Sequence, residues 1–188
     1  MIVGERVVLR EYRKEDIDDI VKWVNNPRMR KYLGFSVFPQ TRQQCEDYVD
    51  RQLRPSDDEC AMVISLRDDP QLRYIGGVGL HRINYVHRNA ELGIAIGREE
   101  LLGRGLGAEA IVLMCAFGFL RLGLHKINIR HYEYNLRGAA CYNKVGFVEV
   151  GRLRQNVYFN GRFHDEIYMD MLAEEFFSRY PDKGYLFE

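Results

Sequence analysis

Three alternating glycines, Gly103, Gly105 and Gly107, stand in the run Leu102-Gly103-Arg104-Gly105-Leu106-Gly107-Ala108. A strand-like segment, Ala90–Ile96 (AELGIAI), precedes them and a long apolar stretch, 108–122, follows. Glycine lets the backbone approach a ligand closely and takes dihedrals closed to other residues. Free N–H groups at a helix start form an anion site, and the helix dipole strengthens it. The turn therefore suits a pyrophosphate, with Arg104 as a cation beside it. The competing reading is a plain flexible connection from strand to helix. Two other phosphate turns fit poorly. A P-loop ends in Gly-Lys-Ser/Thr, and Gly107 leads instead into Ala108 and Glu109. A dinucleotide fold wants G-x-G-x-x-G early in a βαβ unit with an acid about 20 residues on. Here the glycines alternate and fall past the chain midpoint.

Other chemistries find less support. The four cysteines, Cys45, Cys60, Cys115 and Cys141, include no CxxC pair, and the five histidines include no HExxH. No metal is expected. Cys115 and Cys141 lie in apolar surroundings and read as small core residues.

The elements that must position the turn follow from patterning. Glu5–Arg10 reads as a strand. Ile17, Ile20, Val21 and Val24 recur at helical spacing over a helix at 14–23 that Asn25-Asn26-Pro27 ends, with a short turn at 28–32. Thr41 is the expected N-cap of a second helix reaching Leu53. Strands are expected at 60–66, 74–80, 90–96 and 126–131. Helices are expected at 108–122, closed by Gly123, and at 138–145, closed by Gly146. Asn160-Gly161 predicts a hairpin joining 148–159 to 162–171, and a last helix covers 173–180. This mixture indicates an α+β fold with a mixed sheet.

Composition agrees with one continuous domain, residues 1–188. The chain is 46% hydrophobic and 29% charged and has no repeat or linker. Twenty-seven basic residues balance 27 acidic ones, which disfavours a nucleic-acid partner. The opening MIVGERVVLREY lacks a signal-peptide core. No stretch approaches the roughly 18 apolar residues of a membrane span. A cytoplasmic protein is expected.

The segment Leu102–Gly107 is similar to the pattern Gln/Arg-x-x-Gly-x-Gly/Ala. Residues 135–147 (NLRGAACYNKVGF) are similar to N-x-x-(S/G/A)…Y-x-K-x-G-F. With the opening ERVVLREYRKEDI and the closing GRFHDEIYMDML, these residues resemble the GNAT acyltransferase superfamily, in the branch of ribosomal-protein N-terminal, spermidine and aminoglycoside acetyltransferases. The resemblance implies a mostly antiparallel central sheet with one splayed strand pair, flanked by helices. It implies direct acetyl transfer from acetyl-CoA to a primary amine. Gly103, Arg104, Gly105, Leu106, Gly107 and Ala108 would cradle the cofactor. Leu102 departs from the pattern and would contribute backbone only. Ile94 and Ile96 would pair with pantetheine as an added strand, and Asn135 and Lys144 would hold its arm. Gly138 stands where serine often caps the next helix, so Asn135 also takes the capping duty.

The same resemblance places Glu91 as general base and Tyr142 as the acid that protonates the departing thiolate. An ion pair of Glu91 with Arg88 or Arg130, and ordinary core packing of Tyr142, are the structural alternatives. The amine site falls in the least informative regions. Trp23, Asn25, Tyr32 and Phe35 form one polar-aromatic wall and His164, in the hairpin, another; ordinary packing explains them equally well. Asp57-Asp58-Glu59 is the best acidic cluster for a polyamine, though it reads as a solvated loop. A small-molecule or peptide amine is the expected partner, and family habit suggests a homodimer. A catalytically silent CoA-binding sensor is the alternative function, which the presence of both Glu91 and Tyr142 disfavours.

Overall fold

The computed structural model of the chain describes residues 1–32 and 38–183. Its strands are β1 (Ile2–Val3), β2 (Val7–Arg10), β3 (Cys60–Leu66), β4 (Gly76–Asn84), β5 (Asn89–Ile96), β6 (Lys126–Tyr132), β7 (Val148–Phe159) and β8 (Arg162–Leu172). Its helices are α1 (Ile17–Val24), α2 (Pro27–Arg30), α3 (Arg42–Gln52), α4 (Leu106–Leu120), α5 (Leu136–Val145) and α6 (Ala173–Arg179). The strands form one sheet in the order β1-β2-β3-β4-β5-β6-β8-β7. Every neighbouring pair is antiparallel except β5 and β6. This is the mixed, mostly antiparallel α+β architecture expected.

Adjacent residues of β3 show how the sheet separates two cores. Ile64 belongs to the larger cluster, built around α4, whereas Val63 belongs to a smaller one with α1 and α3. Consecutive strand side chains point to opposite faces, so each residue commits to one layer. Helix α4 is apolar all round because it is buried along most of its length, from Ala110 to Ala116.

Several boundaries differ from the expected ones for local reasons. The first strand is two short ones, because the Gly4 N–H donates to the Val7 carbonyl at 2.8 Å and turns the chain between them. The expected turn at 28–32 is the short helix α2, with Pro27 at its first position and the Asn26 side chain accepting from Arg28 N. Thr41 caps α3 as expected, and Gln44 reciprocates. Helix α4 starts at Leu106, ahead of the expected Ala108. In the hairpin turn Asn160 and Gly161 both take left-handed φ, 50° and 79°, as a type I′ turn requires.

A buried ion pair fixes α1 against the sheet. Arg10 on β2 meets Asp16 through two bonds, 2.6 and 2.8 Å, and both side chains are almost wholly buried. Asp16 also accepts from Arg13 N, which holds the first turn ahead of α1. Among the described residues no helix is long and apolar enough to cross a membrane.

Candidate active site

The parallel pair β5–β6 is short. Its register runs only through Asn89–Lys126, Ala90–Ile127 and Glu91–Asn128, and beyond Glu91 the strands part. On its other edge β5 stays paired with β4 as far as Ile96. Just past it, Gly97 N donates to Ile75 O at 2.8 Å. Antiparallel bonding alternates along a strand, so residues 91, 93 and 95 bond β4. The N–H and C=O groups of Ile94 and Ile96, together with the Leu92 carbonyl, therefore face the gap. The expected splayed pair is present, and it leaves a strand-shaped vacancy edged with backbone donors and acceptors.

A cavity of ≈ 650 Å³ occupies this gap. Ile94, Ile96, Leu102, Gly103, Gly105, Leu106, Gly107 and Ala108 line it, as do Asn135, Tyr142 and Lys144. The glycine turn meets it at the start of α4. Gly103 and Gly105 have φ of +75° and +81°, the left-handed region that glycine takes without cost. Gly105 is the N-cap of α4, which frees the helix to begin at Leu106. Gly107 has no such dihedral. A Cβ added there would make only ordinary contacts, 3.7 and 3.8 Å, with Ile96 and Ile94, so glycine at this position keeps the cleft wall low. Arg104 departs from the expectation of a cation in the cradle: its side chain is exposed, outside the cavity lining. Its carbonyl accepts from Arg6 Nη1 at 2.9 Å, and Arg6 Nε reaches Glu109 on α4 at 3.0 Å. These bonds buckle the turn to Arg6, just ahead of β2.

Asn135 caps α5, its Oδ1 accepting from Gly138 N at 3.0 Å. That fixes the helix that carries Tyr142. The Tyr142 ring packs near His131 and Phe147, and burial first, with Cys141 second, pushes its phenol well above the ordinary value. Glu91 lines the narrow end of the cavity. Its Oε1 is 2.7 Å from Arg130 Nε and its Oε2 accepts from Arg82 Nη1 at 2.8 Å. Arg130 continues to Glu166 at 3.2 Å. The ion pair weighed for Glu91 is therefore made, with Arg130 and Arg82, while Arg88 is bound to the Gly123 carbonyl.

A second cavity, ≈ 610 Å³, lies on the opposite face of the sheet under α1 and α3. Small residues make its floor: Ala61 on β3 faces Gly79 on β4, Gly79 faces Gly93 on β5, and Gly77 faces Ala95. Side chains at those positions would fill the space. Trp23, Tyr12, Tyr48 and Tyr74 form apolar-bodied walls, and Glu59 and His81 stand at one end. Burial pushes the phenols of Tyr12, Tyr48 and Tyr74 upward and keeps them neutral. Gly93, Ile94 and Ala95 line both cavities, so β5 is their common wall.

The residues expected to hold an acceptor scatter. Trp23 lines the second cavity and Tyr32 the first. Asn25 serves structure: its amide donates to the Val21 and Gln40 carbonyls and accepts from Gln40 N. His164 is buried behind the hairpin. Its Nδ1 lies 2.7 Å from Glu133 and its ring packs edge-on to Tyr134, outside both cavities. Phe35 lies outside the described residues.

Residues 6–148 match the family model for the acetyltransferase (GNAT) domain. The chain belongs to the GNAT acetyltransferase family. It is an acetyl-CoA-dependent N-acetyltransferase. The GNAT chain is 28% identical over 177 residues to spermidine N(1)-acetyltransferase of Vibrio cholerae, covering 94% of this chain and 99% of that one. It is 27% identical to Bacillus subtilis YdaF, assigned provisionally to ribosomal N-acetyl transfer, over 92% of this chain and 94% of YdaF. A crystal structure of the V. cholerae enzyme with CoA and spermine superposes with a TM-score of 0.81 at 28% identity, covering 92% and 99% of the two chains.

Sequence reasoning missed three features of this region. The Arg6–Glu109 buckle joins residues far apart in the chain and leaves no local signal. Glu59, read as part of a solvated loop, instead lines the second cavity and bonds Gln52 and His81. The cavity itself had a signal, the glycine-heavy strand YIGGVGL together with Gly93, which is the composition of a floor kept clear of side chains.

Proposed function

We propose that acetyl-CoA rests its diphosphate on the N–H groups at the start of α4 and lays its pantetheine along β5, bonding Ile94 and Ile96. In this reading Asn135 and Lys144 flank the arm from α5. A primary amine enters the second cavity on the other face and meets the thioester across Gly93–Ala95. The observation that carries the reading is the common wall: two cavities of similar size touch the same three residues of β5, at the place where β5 has lost its β6 neighbour. A backbone N–H of β5 facing the gap would stabilise the developing oxyanion. Tyr142 would donate the proton that lets sulfur leave.

The second cavity favours an amine bearing one charge beside an apolar body. It offers one carboxylate, Glu59, among aromatic walls, and Arg51 also lines it. Aromatic faces attract a single ammonium, whereas an arginine opposes a polycation. An N-terminal α-amine of a peptide or a small monoamine fits this better than spermidine. The relatives named for spermidine support the polyamine alternative. Thiol release from acetyl-CoA, measured over N-terminal peptides, small monoamines, amino sugars and spermidine, separates the two. The expected outcome is a higher kcat/KM for the singly charged amines; a preference for spermidine overturns the assignment.

Three further elements belong to the proposal. The four cysteines are free, which suits a reducing cytoplasmic compartment. The proposed transfer runs directly between acetyl-CoA and an amine, and none of its steps is assigned to a metal. Self-association is expected through the outer strand β7, which exposes Val148, Val150, Leu153 and Tyr158. A structure of the V. cholerae relative is described as dodecameric.

A further inference from the structure

We propose that His81, oriented by Glu59, is the catalytic base of this chain and takes the proton of the incoming amine. The inference rests on the reading of the second cavity as the amine site. Four observations carry it. Both oxygens of Glu91 are engaged by the guanidinium groups of Arg82 and Arg130, and Glu91 does not line the second cavity. His81 lies two register pairs from the shared wall, on the same face of the sheet, opposite Glu91 on β5, and lines the second cavity. Its Nδ1 is 3.1 Å from Glu59 Oε1. Its Nε2 stands over the bare backbone of Gly93, 3.1 Å from where a Cβ would be.

The carboxylate sets the tautomer. A carboxylate only accepts, so a neutral imidazole in this contact donates Nδ1–H to it and keeps the lone pair on Nε2. That lone pair projects over Gly93, one of the three residues where the cavities touch. Gln52 Nε2 donates to the same Glu59 oxygen at 3.0 Å and holds the carboxylate in place. The other titratable or charged groups lining this cavity are Tyr48, Cys45 and Arg51 from α3, Tyr12 after β2 and Tyr74 before β4. Burial raises the three phenols and the Cys45 thiol. In the neutral range none of these four accepts a proton, and a guanidinium such as that of Arg51 is a donor only.

The step balances with the two substrates alone. The ammonium gives one proton to Nε2, directly or through one water. The neutral nitrogen attacks the thioester carbon and the C–N bond forms. The C–S bond then breaks with its electron pair on sulfur, Tyr142 protonates the sulfur, and the remaining extra proton on nitrogen returns to Tyr142 through solvent. His81 sheds its proton to solvent. Glu59 is a positioning residue in this scheme.

The test compares His81→Gln, Glu59→Gln and Glu91→Gln with the parent enzyme, using its best amine. General-base removal costs about 10²–10⁴-fold in rate. His81→Gln is expected to lower kcat by about that much, to erase the limb of the pH–rate profile that rises with pH, and to leave calorimetric acetyl-CoA affinity unchanged. Glu59→Gln is expected to mix the two neutral tautomers, read by imidazole nitrogen NMR, where the parent shows a bare Nε2. Parent-like turnover in His81→Gln overturns the proposal, as does loss of the rising limb in Glu91→Gln alone. A parent ring with its neutral proton on Nε2 overturns it too, and that measurement needs no acceptor. Failure of the parent protein to bind acetyl-CoA defeats the reading of the site itself and is a separate result.

Discussion

Tyr142 is 7% exposed and lines the first cavity, and its phenol is pushed above its ordinary value chiefly by burial. An acid must hold its proton at the moment sulfur departs. A raised phenol remains protonated throughout the neutral and mildly alkaline range, so the alkaline fall in kcat is expected above the usual tyrosine value of about 10. Tyr142→Phe is expected to lower kcat by about 10²-fold with little change in KM for acetyl-CoA; steady-state kinetics of the variant check both. Tyr142 and Asn135 were legible because they share one contiguous segment with a helix cap at its start. Glu91 was legible as a residue but its surroundings were not. Arg82 reaches it only because the chain takes a left-handed turn there, φ 51°, and Arg130 only because β6 runs beside β5. Which charge meets which is a property of register, and register is not written at the residue itself.

At the scale of elements, the strand–turn–helix unit β5–α4 uses its glycines for two different purposes. Gly105 satisfies a dihedral, φ +81°, and a Cβ added there would stand 3.2 Å from the Arg6 guanidinium. Gly107 satisfies a space. Gly105→Ala is therefore expected to cost stability, roughly 1–2 kcal/mol, read as a lower unfolding midpoint. Gly107→Val is expected to leave stability nearly unchanged while weakening acetyl-CoA binding at least about tenfold, or about 1.4 kcal/mol, by calorimetry. Equal effects of the two on both readouts would contradict this division. Local signals located the longer elements: helical spacing for the first helix, the Thr41 cap for the second, a continuous apolar run for α4 and Asn160-Gly161 for the hairpin. They misplaced short features such as α2 and the β1–β2 break, where one proline or one hydrogen bond decides the outcome. The expectation for Arg104 failed for a similar reason: its carbonyl, not its side chain, is what the fold uses.

At the scale of the whole molecule, the sheet does two things at once. It separates two cores, and at β5 it brings two cavities to the same three residues. The glycine turn and the Asn135–Tyr142 segment that line the first cavity were legible through their motifs. The second cavity, which we assign to the acceptor, was not, because its floor is assembled from Ala61, Gly77, Gly79, Gly93 and Ala95 on three strands, and only the antiparallel register places them together. The central claim is that the coenzyme arm completes the sheet where β6 has turned away. Hydrogen exchange of single amides with and without acetyl-CoA tests it most directly. The N–H groups of Ile94 and Ile96 face the gap and are expected to slow at least about tenfold on binding, while those of Gly93 and Ala95, already bonded to β4, change little. Bound acetyl-CoA with the Ile94 and Ile96 amides exchanging at their free rates would contradict the account.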